Sequence, residues 1–325
     1  MRARPAGLDD REVRDALARW WDVDAARCTY AALGGGSYHW LAETAGGQRH
    51  FVTVDDLDAK PWLGTDRASA FQGLRAAFDT ALALREEAEC AFVVAPVRAN
   101  DGASLRRIGP QYSVAVFPFI DGRTGEFGET LGADERAQML RLLAQLHQST
   151  EVVPRAARRG RELPGRSDLE RALADLGRPW SAGPLAEPAR KLLADRADDI
   201  GQWLATFDRL AADVEAADPR LVVTHGEPHS ANMIRVEDDL FLIDWDTVGL
   251  APPERDLWML DDGSVDGYRA YVDATDRAID ETAVSLYRLT WTLADLAAFT
   301  TVLRAPHRTT ADTKRALAGL ATYLD

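Results

Sequence analysis

Two short blocks near residue 230 constrain this chain most. His225-Gly226-Glu227-Pro228-His229-Ser230-Ala231-Asn232 sets an acid and an asparagine five positions apart, and Phe241-Leu242-Ile243-Asp244-Trp245-Asp246 places an aspartate at the end of an apolar run. Such a run reads as a buried strand, and a carboxylate at its end is costly unless a metal or hydrogen bonds meet it. Amide and carboxylate oxygens suit a hard Mg²⁺ that keeps waters and bridges phosphates. Acid, asparagine and buried aspartate in that order point to metal-dependent phosphoryl transfer. Glu227 would orient and deprotonate an acceptor hydroxyl, and Asn232 and Asp244 would hold Mg²⁺.

The composition allows such an enzyme and excludes other classes. At 325 residues the chain can bury two cores. Hydrophobic residues at 46% and charged residues at 28% fit a soluble globular protein, and no apolar run reaches membrane-spanning length. The first ten residues carry acids and no apolar core of a signal peptide, so the expected compartment is the cytoplasm. Cys28 and Cys90 have neither metal-ligand spacing nor disulfide density. A formal charge of −14 argues against nucleic acid as a partner and would attract a cationic small molecule. Lys60, Lys191 and Lys314 are the only lysines.

Residues 8–21 have helical periodicity. Strands are expected over Thr29–Leu33, Tyr38–Thr44 and Arg49–Val54, separated by Gly34-Gly35-Gly36-Ser37 and Gly46-Gly47. A helix over 66–89 and strands over Phe92–Ala99 and Tyr112–Phe119 follow. A boundary near residue 120 would divide a nucleotide-binding lobe, 1–119, from a catalytic and acceptor-binding lobe, 120–325. Beyond it a helix over Asp134–Gln148, an irregular connection over 150–185 and a helical stretch over 187–217 are expected. Strands over Leu221–Thr224, Asn232–Val236 and Leu240–Ile243 bracket the motif, and helices fill the remainder to Asp325.

These residues resemble the aminoglycoside phosphotransferase family, whose signature is His-Gly-Asp, a few residues, Asn, then Ile-Asp-Trp or Ile-Asp-Phe. Ile243-Asp244-Trp245-Asp246-Thr247 followed by Ala251-Pro-Pro-Glu-Arg-Asp-Leu257 is similar to the spectinomycin phosphotransferase branch. The resemblance implies an α+β, bilobal, protein-kinase-like fold with a small β-rich lobe and a larger, mainly helical lobe. It implies ATP or GTP as donor, Mg²⁺, and a small-molecule acceptor that is an antibiotic. Kinases of metabolite alcohols such as choline or homoserine, and a nucleotide-binding pseudokinase, are the alternatives. By the same resemblance His225 would brace the catalytic loop and Asp256 would support it.

The chain departs from the family pattern twice. Glu227 stands where the family has Asp, a change the loose transition state tolerates if the backbone compensates for one methylene. The third strand lacks the phosphate-clamping lysine expected near Thr53. Lys60 beyond the strand, or an arginine such as Arg49, would serve, or the clamp is missing; its carboxylate partner on helix 66–89 is open among Asp66, Asp79, Glu86 and Glu87. Gly34, Gly35, Gly36 and Ser37 would bring backbone N–H groups to phosphates. Val116, Phe117 and Phe119 would border the base. Asp246 and His229 are candidates for the acceptor or a second metal. His225 and His229 at i and i+4 superficially suggest a zinc hydrolase, but Gly226 and Pro228 oppose a helix there.

Overall fold

The computed structural model describes every residue except Arg2, Ala6, Arg161, Val265 and Asp325; the expected helical end at Asp325 lies outside the described residues. The chain opens with α1 (Asp10–Trp21), β1 (Ala25–Ala31), β2 (Tyr38–Thr44), β3 (Arg49–Asp56), α2 (Arg67–Glu86), β4 (Arg106–Ile108) and β5 (Tyr112–Pro118). Then come β6 (Arg123–Thr124), α3 (Ala133–Gln148), α4 (Arg166–Ala174), α5 (Ala186–Asp195) and α6 (Ala197–Ala216). The motif region holds β7 (Val222–Thr224), β8 (Met233–Val236), β9 (Asp239–Leu242), β10 (Gly249–Ala251), α7 (Glu254–Leu257) and α8 (Arg269–Thr275); α9 (Glu281–Arg304) and α10 (Ala311–Leu324) close the chain. The described chain falls into two compact units, residues 1–159 with 220–279, and residues 160–219 with 280–325.

Local chemistry sets these elements. Asp9 caps α1 by accepting from the Arg11 and Glu12 N–H groups, and Glu12 returns a bond to the Asp9 N–H at 3.0 Å. β1 to β5 form an antiparallel sheet of order β1-β2-β3-β5-β4. Its register aligns Trp40, Val52 and Val116 on one face, where they pack with Val13, Leu17 and Trp21 of α1. Leu41, Phe51 and Phe117 align on the opposite face. Val116 is therefore core and does not border a base-sized space.

The segment 92–99 is not a strand of this sheet. Pro96 interrupts it and has no N–H to donate; its bonds include a bridge from Val93 to Leu242, the Val97 N–H to the Val116 carbonyl at 2.7 Å and the Ala99 N–H to the Ala103 carbonyl at 2.8 Å. The short Arg106–Ile108 pairs with β5 instead. The connection 150–185 contains α4, whose Leu169 and Ala172 are buried with Ile200, Leu204 and Phe207 of α6 and Leu293 and Leu296 of α9. The stretch 187–217 is two helices because Arg196 leaves helical geometry at φ −124°, ψ 17°.

α2 packs Ala70, Leu74 and Phe78 against Leu57 and Leu63, which flank Lys60. Gly73 makes that approach possible, since a Cβ there would lie 2.2 Å from the Leu63 carbonyl oxygen. Gly73→Ala should therefore destabilise the protein: a steric cost of about 1–3 kcal/mol exceeds the helix-propensity gain of about 1 kcal/mol. The check is thermal unfolding, with a lowered Tm expected.

Candidate active site

β7 feeds the His225–Asn232 loop, which turns sharply at Gly226. Gly226 has φ +101°, and a Cβ would sit 2.2 Å from the Arg255 guanidinium, so only glycine fits. The fully buried Asp256 carboxylate accepts from the His225 N–H at 2.9 Å, the Gly226 N–H at 2.6 Å and His147 Nε2 at 3.1 Å. Burial alone would raise its pKa, but His147 and then Arg255 outweigh this and hold it below the usual carboxylate range. His225 is buried and its pKa is lowered, chiefly by that burial. Its Nδ1 accepts from the Glu227 N–H at 3.2 Å and its Nε2 faces the Ile243 carbonyl at 2.9 Å, so the neutral ring with its proton on Nε2 satisfies both. With both nitrogens bound to backbone, His225 has none left for zinc.

That loop places the remaining motif residues around one point. Asn232 donates from Nδ2 to the Glu227 carbonyl at 3.0 Å and lies 3.4 Å from His229 Nε2, leaving its amide oxygen as the donor atom for a metal. The Ile243 N–H donates to the Asn232 carbonyl at 3.0 Å, which brings Asp244 alongside. Asp244 holds φ +66°, ψ +68°, a left-handed conformation that Asp tolerates better than most residues. Burial, then Asp246, push its pKa up. Glu227 is pushed up to about 8 by burial, Asp246 and Asp244. These crowded acids are the charge imbalance a divalent cation would correct. Among the described residues no group of three or more His, Cys, Asp or Glu is set to hold a metal. The Asn232 amide oxygen and the Asp244 carboxylate are hard oxygen donors of the kind suited to an ion that takes its other ligands from water and phosphate.

Lys60 is 1% exposed and ion-paired to Asp246 at 2.6 Å and Asp55 at 2.9 Å. Burial opposes its charge, yet Asp246, then Asp55 and Asp244, raise its pKa above the ordinary lysine value. Ser37 Oγ accepts from Lys60 at 3.2 Å and donates to Asp55 at 2.6 Å, tying the Gly34-Gly35-Gly36 turn to this cluster. The expected partner on α2 is thereby corrected. Asp66 caps α2 and Glu86 pairs with Arg98, while Lys60 takes its carboxylates from β3 and from the segment after Asp244. Arg49 is engaged elsewhere, 2.8 Å from Asp121 and over the Phe119 ring at 4.0 Å. Phe117 packs edge-on against Phe78. His229 lies edge-on to Phe127, 3.9 Å from Glu227 Oε2, with its pKa lowered to about 4 chiefly by burial.

Sequence reasoning missed Asp55 and Arg255. An acid directly after the run Phe51-Val52-Thr53-Val54, itself followed shortly by Lys60, was the available signal for the first. Arg255 joins Thr224 Oγ1 at 2.8 Å and the Thr247 carbonyl at 3.0 Å, contacts that no local pattern announces. Open clefts of about 530 Å³ between α3 and α8, and about 440 Å³ beside Trp180, are lined by none of these residues.

Residues 29–292 match the model of the phosphotransferase enzyme family. Protein StrN of Streptomyces griseus is 28% identical, with 76% of each chain covered. A spectinomycin phosphotransferase solved with ADP and spectinomycin superposes with a TM-score of 0.74 at 16% identity, covering 98% of this chain and 95% of that one. A microcompartment-associated aminopropanol kinase superposes with a TM-score of 0.62 at 16% identity, covering 97% and 95%. These likenesses show a kinase-like α+β fold, and the match over most of the chain shows its kinship: it belongs to the phosphotransferase enzyme family.

Proposed function

We propose that this chain transfers the γ-phosphoryl group of ATP or GTP to a hydroxyl of a small polar antibiotic of the aminoglycoside, aminocyclitol or nucleoside type, conferring resistance, and that it works in the cytoplasm. The observation that carries the reading is the convergence of Glu227, Asn232, Asp244 and Lys60 within one compact unit. The spectinomycin bound to one structural relative supports the acceptor class, and the formal charge of −14 suits a cationic acceptor. A second reading, a kinase of a metabolite alcohol, is favoured by the likeness to the aminopropanol kinase.

In this mechanism residues 1–119 bind the nucleotide, and residues 120–325 supply the chemistry and the acceptor site. Leu41, Phe51 and Phe117, aligned on one sheet face, would border the base together with Phe119. Backbone N–H groups of Gly34 to Ser37 and the Lys60 ammonium would meet the phosphates, so that Lys60 replaces the lysine absent from β3. Asn232 Oδ1 and the Asp244 carboxylate would hold Mg²⁺, whose charge would offset that developing on the transferred group. Glu227 orients the acceptor hydroxyl and receives its proton on a carboxylate oxygen. Asp256 and His225 fix the loop that presents Glu227 and Asn232. Asp246 holds Lys60, and His229 borders the acceptor side of Glu227.

The deciding experiment is Mg²⁺-dependent transfer from ATP and GTP to a panel of aminoglycosides, spectinomycin-type aminocyclitols, nucleoside antibiotics and amino alcohols, with mass spectrometry detecting the added phosphate. Phosphorylation of an antibiotic is expected, and chelation of the metal should stop it. Preference for an amino alcohol would select the second reading, while nucleotide binding without any transfer would indicate a pseudokinase. With an acceptor in hand, Glu227→Gln should lower kcat about 10²-fold with nucleotide affinity kept. Asp244→Asn, which preserves the left-handed backbone, should abolish turnover and weaken Mg-nucleotide binding. Wild-type turnover in either variant would remove that residue from the mechanism.

A further inference from the structure

Moving the lysine from a strand to a loop creates a positioning problem. A strand residue is fixed by the ladder on both sides, whereas Lys60 follows a single 3₁₀ turn, Leu57–Ala59, and precedes a turn closed by the Leu63 N–H donating to the Lys60 carbonyl at 3.1 Å. Its ammonium must nevertheless stay between Asp55 and Asp246, and Asp246 stands 186 residues further along the chain. Ion pairing alone orients the head group and does not fix the backbone that carries it.

One side chain joins the two segments. Arg159 donates from Nη1 to the Trp62 carbonyl at 3.4 Å, from Nη2 to the Asp246 carbonyl at 3.2 Å, and from Nε to the Thr247 and Val248 carbonyls, each at 3.2 Å. Trp62 belongs to the Lys60 loop, and Asp246 is the residue Lys60 pairs with. The planar fork of a guanidinium can serve carbonyls on both segments at once, which an ammonium cannot do with the same fixed geometry. Arg159 is itself fixed at both ends. Its N–H donates to the Leu250 carbonyl at 2.9 Å, and its stem lies on Gly249, where a Cβ would fall 2.6 Å from Arg159 Cγ.

No carboxylate is ion-paired directly with this guanidinium among the described contacts, and burial followed by Arg255 lowers its pKa to about 10 against the opposing pull of the nearby Asp246 carboxylate. Placing a cation among carbonyls in a crowded region without a carboxylate of its own costs free energy. Such a cost is reasonable where the group secures a geometry.

We propose that Arg159 is a positioning residue: it holds the Lys60 loop against the segment carrying Asp246 and so fixes the Lys60 ammonium at the nucleotide-phosphate position. The proposal rests on the assignment of Lys60 above, and its test has a readout that does not require turnover. Lys60 is buried whereas Lys191 and Lys314 are exposed, so an amine-acylating reagent followed by peptide mass spectrometry reports each lysine separately. In the wild type Lys60 should be labelled far more slowly than the other two. In Arg159→Gln its labelling should rise roughly tenfold, the change expected for loss of a charge-assisted hydrogen bond. Arg159→Lys, which keeps the charge and loses the fork, should lie between the two.

Reactivity of the buried Cys90 thiol controls for unfolding. Lys60 deprotection with Cys90 still protected, accompanied by a raised KM for Mg-nucleotide and a smaller change in kcat, is the expected result. Unchanged Lys60 protection in both variants overturns the proposal, and so does parallel exposure of Cys90 in both, which would reduce Arg159 to a general stability role. Deprotection of Lys60 with no effect on nucleotide binding would leave Arg159 as the tether and refute the phosphate role of Lys60, so the two readings fail separately.

Discussion

The buried ammonium of Lys60 between Asp55 and Asp246 is the interaction on which the arrangement of the site depends. It is satisfied only because β3, the glycine turn and the segment after Asp244 all arrive at one place. Removing the amine would leave two buried carboxylates uncompensated, a far greater loss than a surface pair would cause. The cluster also ties Asp246 to Lys60, so that the side chain two residues beyond Asp244 is held by an ion pair within the protein.

A second buried anion, Asp256, does comparable work for the catalytic loop. Its two oxygens hold the His225 and Gly226 N–H groups and His147, while His225 passes the constraint to Glu227 and Ile243. The loop is thus fixed by hydrogen bonds to charge in a setting of low dielectric, where each bond is strong and each unmet partner is costly. The left-handed Asp244 and the positive φ of Gly226 are conformations this network imposes on the chain at the site itself.

Much of this was legible in the residues. The Glu227, Asn232 and Asp244 pattern is local, and its spacing alone brings those side chains to one turn and one strand end. β2 is found at its expected bounds, Tyr38–Thr44, because alternation and flanking glycines agree there. What escaped was non-local or locally ambiguous. Phe92–Ala99 has strand-like composition, but Pro96 denies it a ladder, and Arg106–Ile108 is too short to show a period. The partners of Lys60 depend on residues far apart in sequence. A helix carboxylate was therefore the natural expectation, and the folded chain supplied others.

The helical unit built from residues 160–219 and 280–325 is discontinuous. α4, α5 and α6 bury Leu169, Ala189, Ile200 and Phe207 with residues of α9 and α10, which are synthesised only after residues 220–279. Until then the three helices lack the part of their packing that α9 and α10 supply, while residues 220–279 are still being made. Pairing of such distant segments is intrinsically slow and exposes sticky surface in the interval. A stop codon within α9 would therefore leave part of this core open to water even with the whole of residues 220–279 already translated.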